Sequence, residues 1–398
     1  MKTRPTIAMI PSGYGVGKLH NIIPVGESFT WTRGSSATRV NKDGLIELVG
    51  NDVPRLDYSS GGCPKLLLEN SSTNYVVRSE DLANSAWGKA NTDGVNASVS
   101  TIFNTLTGEN NASLIEFSQS ANEVDYNVVR QDANITINNG EFFSASAWIK
   151  AAESNDVGKK INLYIYNKTN SSYEVVKVFT VTSEWQRIAI NEELTEGDAA
   201  LIEFTIGKAR DYLGGVPLNE FTNKVLVYGC QLEIATKESS YIPTSGAIAS
   251  RSVDSGSLDN INSLLGNNAT LFLQGSSDND QGGGSLYFLD INDTLLGRLY
   301  FKQANLDDKS RIRLENPLYE LNSDFKENVK LALKNKNGVY TLFINGQQIN
   351  NATEQTLFGI NRIDLRGFAL VKGGQTFIDK MFIYDKELTD EELINLTK

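Results

Sequence analysis

Almost every patterned stretch of this 398-residue chain alternates with a period of two. That constrains the fold more than any other feature, because successive side chains point to opposite faces of a strand, whereas a helical face recurs every 3.6 residues. INLYIYN (161–167), FFSASAWIK (142–150), EVVKVFTV (174–181), NKVLVYGCQLE (223–233), ATLFLQG (269–275), SLYFLDI (285–291), GVYTLFING (338–346) and KMFIYD (380–385) are all short and rich in Val, Ile, Phe and Tyr. Gly, Asn, Asp and Ser punctuate them, which is turn chemistry. The pattern predicts an all-β protein built of β-sandwich, jelly-roll domains. Asn345-Gly346 marks a two-residue hairpin, since both residues tolerate positive φ. The one helix expected is short and C-terminal, in KELTDEELINLTK. Thr389 caps it, Glu392 completes a capping box, and Leu388 and Leu393 form a hydrophobic staple.

Three regions follow. Residues 1–74 contain two Gly/Pro-rich segments and the strand-like pieces SFTWTR and GLIELV; they read as an irregular N-terminal anchoring segment. Residues 75–247 form a first sandwich ending in SYIPTSGA, and residues 248–398 a second one after the polar stretch SRSVDSGSLDN. All four tryptophans (Trp31, Trp87, Trp148 and Trp185) precede the second sandwich, so the two sandwiches are unlike domains rather than a duplication.

Scarce residues exclude much chemistry. One histidine, His20, cannot supply a two-histidine metal site, and no GxSxG nucleophile elbow accompanies it. Cys63 and Cys230 match no CxxC pattern and read as two free, mostly buried thiols. The net charge of -11 argues against binding anionic polymers by charge. The basic stretch Arg298, Lys302, Lys309, Arg311 and Arg313 is interrupted by acids and reads as solvated strand faces. No nucleic-acid partner and no membrane insertion are expected: Pro5, Pro11 and Gly13 break the apolar run a signal peptide needs, and no window reaches the ~20 apolar residues of a membrane helix. Gly13, Gly15, Gly17 and Lys18 fail the Walker pattern, with Ser12 at the first glycine position and Leu19 after the lysine. Asp278, Asp280 and Asp290 have no EF-hand spacing, and pairs such as Glu391 and Glu392 carry no sign of a raised pKa. No cofactor, metal or catalytic residue is expected. N-x-[ST] sequons, including Asn70, Asn96 and Asn167, follow from composition.

One strand stands out. In INLYIYN, Ile161, Leu163 and Ile165 share one face, the core, which leaves Asn162, Tyr164, Tyr166 and Asn167 outward. Neighbouring tyrosine rings beside amides suit stacking on sugar faces while hydrogen-bonding hydroxyls. The alternative is that the two rings lie under a loop or a neighbouring subunit. Trp148 and Trp185 fit either a sandwich core or a second aromatic platform. The candidate carbohydrate-binding residues are therefore Tyr164, Tyr166, Asn162, Trp148 and Trp185.

Several stretches together resemble phage virion proteins, in particular tail- or head-fibre and appendage proteins from phages of Bacteroidetes-type hosts. PTIAMIPSGYGVGKLHNIIPVG is similar to their opening segment. FTWTRGSSATRVNKDGLIELVGNDVPRLDYSSGGCPKLLLENSSTNYVVRSEDLANSAW is similar to their linker, with its ATRVN, GLIE, VPRLDY and LLLE pieces. SASAWIKA, EWQRIAI and VYGCQLEIATKESSYIPTSG resemble carbohydrate-binding-module-like jelly rolls. VYTLFINGQQI and MFIYDKELTDEELINL resemble the closing elements of laminin-G/concanavalin-like domains. The resemblance implies a non-enzymatic virion structural protein, a fibre, appendage or capsid decoration. It would be made in a bacterial cytoplasm and attached to other virion proteins through its N-terminal segment. Its sandwiches would bind host-surface glycan, and it would assemble as a homo-oligomer, the trimer being common among such fibres. The alternatives are a glycan-active depolymerase or its binding module, and a purely architectural particle protein, because fold alone does not give function.

Overall fold

The computed structural model describes residues 3–11, 29–92, 94–118, 125–210, 213–261, 265, 268–277, 285–290, 292, 295–300, 310–315, 318–323, 328–337, 339–349, 360–366 and 374–398. The protein is all-β, as the period-two patterning predicts, and one helix closes the described chain. It divides into two compact units: one is continuous, Ser72–Arg251, and the other combines Met1–Ser71 with Ser252–Lys398. The first is an insertion in the second.

The inserted unit is a sandwich of two five-stranded antiparallel sheets. One holds, in spatial order, the strands Gln186–Glu193, Phe142–Ala151, Lys224–Glu233, Glu109–Glu116 and Ser98–Asn104. The other holds Ser172–Thr180, Lys160–Asn167, Ala199–Lys208, Asn127–Ile137 and Gly88–Asn91. Alternation fills the space between them. Phe143, Ala145, Ala147 and Ile149 face Ile161, Leu163 and Ile165, with Ile202, Phe204 and Ile206 alongside; all belong to one buried cluster. In Lys224–Glu233 the inward set changes phase, from Val225 and Val227 to Cys230 and Leu232. Gly229, at φ 63°, sits at that change, where the pairing with Phe142–Ala151 slips by one residue. Trp87 is the tryptophan of this core, 1% exposed and edge-on to Phe204.

The other unit also has two sheets. One contains Gln347–Ile349, Val339–Ile344, Val329–Lys336, Asn268–Ser277, Thr376–Tyr384, Lys65–Leu68 and Arg55–Asp57 in order, and Ile7–Met9 also pairs with Thr376–Tyr384. The other runs Thr30–Thr32, Ser255–Leu258, Arg362–Arg366, Ser285–Leu289, Leu295–Tyr300, Ser310–Glu315 and Leu318–Ser323. Asn345 and Gly346 take φ of 44° and 81° in their hairpin. The helix Asp390–Thr397 is capped by Thr389 with a complete capping box, and buries Leu393 with Leu388 against Phe343.

The expected anchoring segment is corrected here. Among the described residues of the first 71, Ile7–Met9, Thr30–Thr32, Arg55–Asp57 and Lys65–Leu68 complete the two sheets of the second sandwich rather than standing apart from it. Strands of three or four residues bury too little to stand alone, and their apolar side chains (Ile7, Met9, Trp31, Leu56, Leu66 and Leu68) join the core formed by 252–398.

A buried ionic network ties these pieces together. Arg33, Arg55, Glu69 and Asp254 have no exposed side-chain surface. Asp254 accepts from Arg33 Nη1 at 3.1 Å, from Arg55 Nη2, and from the Glu69 amide at 2.9 Å. Glu69 accepts from Arg55 at 2.7 Å. Arg33 also donates to the carbonyls of Ser35 and Val53, and Arg55 to that of Thr38. Two cations meet two anions at ion-pair distance, which is how charge survives burial. Burial alone would lower the Arg55 pKa, but Asp254 and Glu69 outweigh it and hold it above its usual value.

His20 and the glycines and lysine of 13–18 lie outside the described residues, as do Lys302, Lys309, Asp278 and Asp280. Arg298, Arg311 and Arg313 lie on paired strands. Asp290 closes a turn by accepting from the Asn292 amide at 2.7 Å. Both cysteines are free; Cys230 is buried as expected, whereas Cys63 is exposed. No helix among the described residues is long and apolar enough to cross a membrane.

Candidate functional site

The site grows from the outer face of the sheet centred on Lys160–Asn167. Register places side chains of neighbouring strands in rows across that face. One row is Arg130, Thr205, Tyr164 and Val176; the next is Asp132, Glu203, Tyr166 and Tyr173. A loop carrying Ala209, Arg210 and Leu213 rises beside them. Together Tyr126, Arg130, Tyr164, Tyr166, Tyr173, Glu203, Arg210 and Leu213 line a cleft of about 200 Å³.

The three strand tyrosines differ in role. Tyr164 is only 5% exposed and packs with Val128 and Ala209, so it is the floor rather than the open platform expected from the sequence. Burial, then the nearby Glu203 and Tyr173, push its hydroxyl pKa well above the usual tyrosine range. Tyr166 is half-buried, and Tyr173, 41% exposed, stands at the rim. The Tyr166 and Tyr173 rings lie 4.9 Å apart at 61°, an edge-to-face pair. Arg210 stacks 4.9 Å over the ring of Tyr126. Arg130 reaches Glu203 with Nη1 at 2.9 Å.

Asn162 does not face solvent. It is fully buried, and its amide fixes the loop that completes the cleft. Oδ1 accepts from the backbone amides of Ala209 (3.0 Å) and Val216 (3.3 Å), and Nδ2 donates to the Gly214 carbonyl (3.2 Å). The loop is tight: the amides of Leu213 and Gly215 both donate to the Arg210 carbonyl at 3.0 Å. A methyl group on Gly215 would lie 2.1 Å from the Ala209 carbonyl oxygen. Asn162 thus positions Arg210 and Leu213 rather than touching a ligand. Asn167 is buried too, and donates to Glu174 at 3.0 Å.

The tryptophans lie elsewhere. Trp148 is on the other sheet, half-buried, with the Arg187 guanidinium 4.4 Å from its ring centroid and the rings of Tyr228 and Tyr241 5.9 and 5.7 Å away. Arg187 is itself held by the Ser239 carbonyl and Ser146 hydroxyl, so that face of the indole is covered. Trp185, also half-buried, donates Nε1 to Thr105 at 3.0 Å. Neither belongs to a core, and neither joins the tyrosine cleft. Near Trp148, Glu80 accepts from Tyr241 (3.0 Å) and Tyr228 (3.3 Å), and burial raises its carboxyl above the usual range.

Sequence reading found Tyr164 and Tyr166 but missed Tyr126, Arg130, Tyr173, Glu203 and Arg210. One signal was available: Tyr173 follows Tyr166 across a short hairpin, and their pairing was readable from the turn NKTNSS. No three or more His, Cys, Asp or Glu among the described residues are grouped to hold a metal ion.

No family model and no curated protein matches the sequence. Solved structures match parts of the chain at low similarity. The enzymatically active domain of tailspike protein 4 from bacteriophage CBA120 matches over 40% of this chain and 21% of its own length, at 12% identity and a TM-score of 0.29. The receptor-binding domain of the botulinum neurotoxin C/D mosaic serotype matches over 36% of this chain and 40% of its own, at 14% identity and a TM-score of 0.29. Domain 4 of AbnA, an arabinanase from Geobacillus stearothermophilus solved with arabinotriose, matches over 40% and 81%, at 16% identity and a TM-score of 0.28. These likenesses are too slight to carry a function to this chain.

Proposed function

We propose that the protein is a non-enzymatic, glycan-binding component of a phage particle, and that the tyrosine cleft of the inserted unit is its sugar site. The observation that carries the binding reading is the cleft itself: a half-buried and an exposed tyrosine ring set at an angle beside two arginines and a glutamate. Rings offer a sugar its apolar face, while guanidinium, hydroxyl and carboxylate groups serve its hydroxyls. Its volume of about 200 Å³ is below the ~300–1,000 Å³ of drug-sized sites and suits one sugar residue at a chain end or branch.

Binding without turnover is favoured because hydrolysis by the usual route needs an acid and a second carboxylate. Among the described residues Glu203 is the one carboxylate lining the cleft, and Arg130 engages it. The particle assignment rests on the resemblance of the N-terminal stretches to fibre linkers. It brings with it other virion proteins as partners, a homo-oligomer, and a virion location. Attachment would use a surface of the sandwich that 1–71 helps to build, since those residues do not form a separable tail.

A panel of immobilised glycans tests the binding reading. Wild-type protein should bind a subset, and Tyr173→Ala should weaken it. Binding of no glycan, or binding that Tyr173→Ala leaves unchanged, sinks the cleft as the site. Release of reducing ends from a bound glycan would overturn the non-enzymatic part, and absence of the chain from purified particles the virion part.

A further inference from the structure

We infer that the strand Ser98–Asn104 is a pairing surface for a second copy of this chain, and that two copies join through it about a two-fold axis at Thr101. This rests on the homo-oligomer of the reading above and gives it a surface and a symmetry. It does not draw on the sugar site, which lies on the other sheet of the inserted unit. Ser98–Asn104 ends its sheet: Glu109–Glu116 pairs with one side of it, and no described strand pairs with the other. An edge strand leaves N–H and C=O groups open, and proteins that stay apart guard such edges with charge, proline or brevity.

The inserted unit guards its other edges in those ways. Ser172–Thr180 carries Glu174 and Lys177, and Gln186–Glu193 carries Arg187, Glu192 and Glu193. Lys177 bonds Glu192, tying those two edges together. Gly88–Asn91 has four residues and carries Lys89. Ser98–Asn104 has seven, SVSTIFN, without a charge or a proline. Ser98, Ser100 and Thr101 are exposed, Val99 and Ile102 are half-buried, and Phe103 is 56% exposed. Its register with Glu109–Glu116 is unbroken from Ser98 to Ile102, so the strand is regular over that span.

The order of residues in this strand selects its own copy. In an antiparallel pair centred on Thr101, Val99 of each copy lies opposite Phe103 of the other, Ser100 lies opposite Ile102, and Thr101 lies opposite itself. Val99, Thr101 and Phe103 share one face by alternation. The pairs on that face are then aromatic with β-branched, threonine with threonine, and aromatic with β-branched again, combinations that stabilise neighbouring strands. Shifting one copy by two residues sets Phe103 opposite Thr101 or Ala97 and breaks both Val–Phe pairs. A chain at -11 repels its own copy, and an uncharged strand is where that repulsion is least, since no like charges come face to face. An isologous contact of this kind closes after two copies.

Analytical ultracentrifugation of the full chain tests the surface. Wild-type protein should reach twice the chain mass as concentration rises. Thr101→Lys sets two lysines face to face at the axis and should raise the dissociation constant about tenfold or more, with the circular dichroism spectrum unchanged. Oxidation reads the register separately, in a Cys63→Ser background because Cys63 is exposed. Thr101→Cys meets its own copy at about 4.5–5.5 Å between Cα atoms, within disulfide reach, and should give a reducible dimer. Ser98→Cys, three residues from the axis, should give none. A dimer that Thr101→Lys leaves intact, a wild-type trimer, or equal cross-linking at both positions overturns the pairing and leaves the homo-oligomer standing. A wild-type monomer at every concentration overturns both, and the sugar site is judged by the glycan panel alone.

Discussion

Replacing Asp254 by alanine removes the anion that two buried guanidiniums share. Asp254 takes three donors: Arg33 Nη1 at 3.1 Å, Arg55 Nη2, and the Glu69 amide at 2.9 Å. Without it, two fully buried cations face Glu69 alone. Breaking one partner out of a buried ion network costs about 3–5 kcal/mol, because the charge left behind is still desolvated. That is a large part of the roughly 5–15 kcal/mol that holds a typical domain folded. The carbonyls on Arg33 soften the loss at one end; Arg55, whose other carboxylate partner is Glu69, bears most of it. Native-state hydrogen exchange by mass spectrometry reads the effect locally. Peptides covering Lys65–Leu68 and Thr376–Tyr384 should exchange roughly a hundred- to a few-thousand-fold faster, since every 1.4 kcal/mol is about tenfold. Asp254→Asn keeps the shape and should lose nearly as much, because its amide nitrogen must face another donor. A change of less than about tenfold in those peptides, for either variant, would refute the view that this network holds the sandwich together.

Other outcomes are expected. Tyr173→Ala should cost little stability and weaken sugar binding, whereas Tyr164→Ala should cost about 3–5 kcal/mol in urea unfolding, because it empties a packed position between Val128 and Ala209. Equal stability losses would show that the floor and rim are misassigned. Gly256→Ala should destabilise the discontinuous unit by about 1–3 kcal/mol, since the new methyl group would lie 2.3 Å from the ring of Trp31 across the strand pair; thermal melts followed by tryptophan fluorescence check it. Glu80 titrates above its usual range in the folded state, so its contribution to stability is present below the unfolded pKa and is lost as pH rises through the folded one. Glu80→Gln should therefore gain on the wild type in urea unfolding as pH rises above the ordinary carboxylate range, and a relative loss there would contradict the buried-carboxyl assignment.

How much was legible in the sequence depends on what each residue reports about itself. Ile161, Leu163 and Ile165 declare a strand face by alternation, and they are buried as expected. The same alternation placed Asn162 and Tyr164 outward. Outward from a sheet is not the same as exposed, however: Ala209, Gly214 and Val216 hold Asn162, and Ala209 packs on Tyr164. Arg130 and Glu203 lie 73 positions apart and meet only because strand order and register bring them into adjacent rows, which no local pattern encodes. The N-terminal strands were missed for a different reason. Ile7–Met9 and Arg55–Asp57 are three residues long, too short to show a period. Arg33, Arg55 and Glu69 were visible in the fibre-like linker pieces, but nothing in that segment names Asp254, their partner 185 residues beyond Glu69.

The insertion has a consequence for synthesis. Ile7–Met9 pairs with Thr376–Tyr384, and Lys65–Leu68, already paired with Arg55–Asp57, takes its second neighbour there. On the ribosome, the local pairs Ala37–Val40 with Ile46–Val49 and Arg55–Asp57 with Lys65–Leu68 can form early, but the edge that joins them to the large sheet must wait until Thr376–Tyr384 has been made, more than 300 residues after Leu68. Ser72–Arg251 has all its strands in hand long before that and can finish its sandwich first. The order of folding is therefore middle before ends. When Asp254 emerges, its carboxylate and amide can close on Arg55 and on Glu69, whose carbonyl accepts that amide at 2.9 Å. The crossing where the chain leaves one sandwich and returns to it is thus sealed by the charges that flank it.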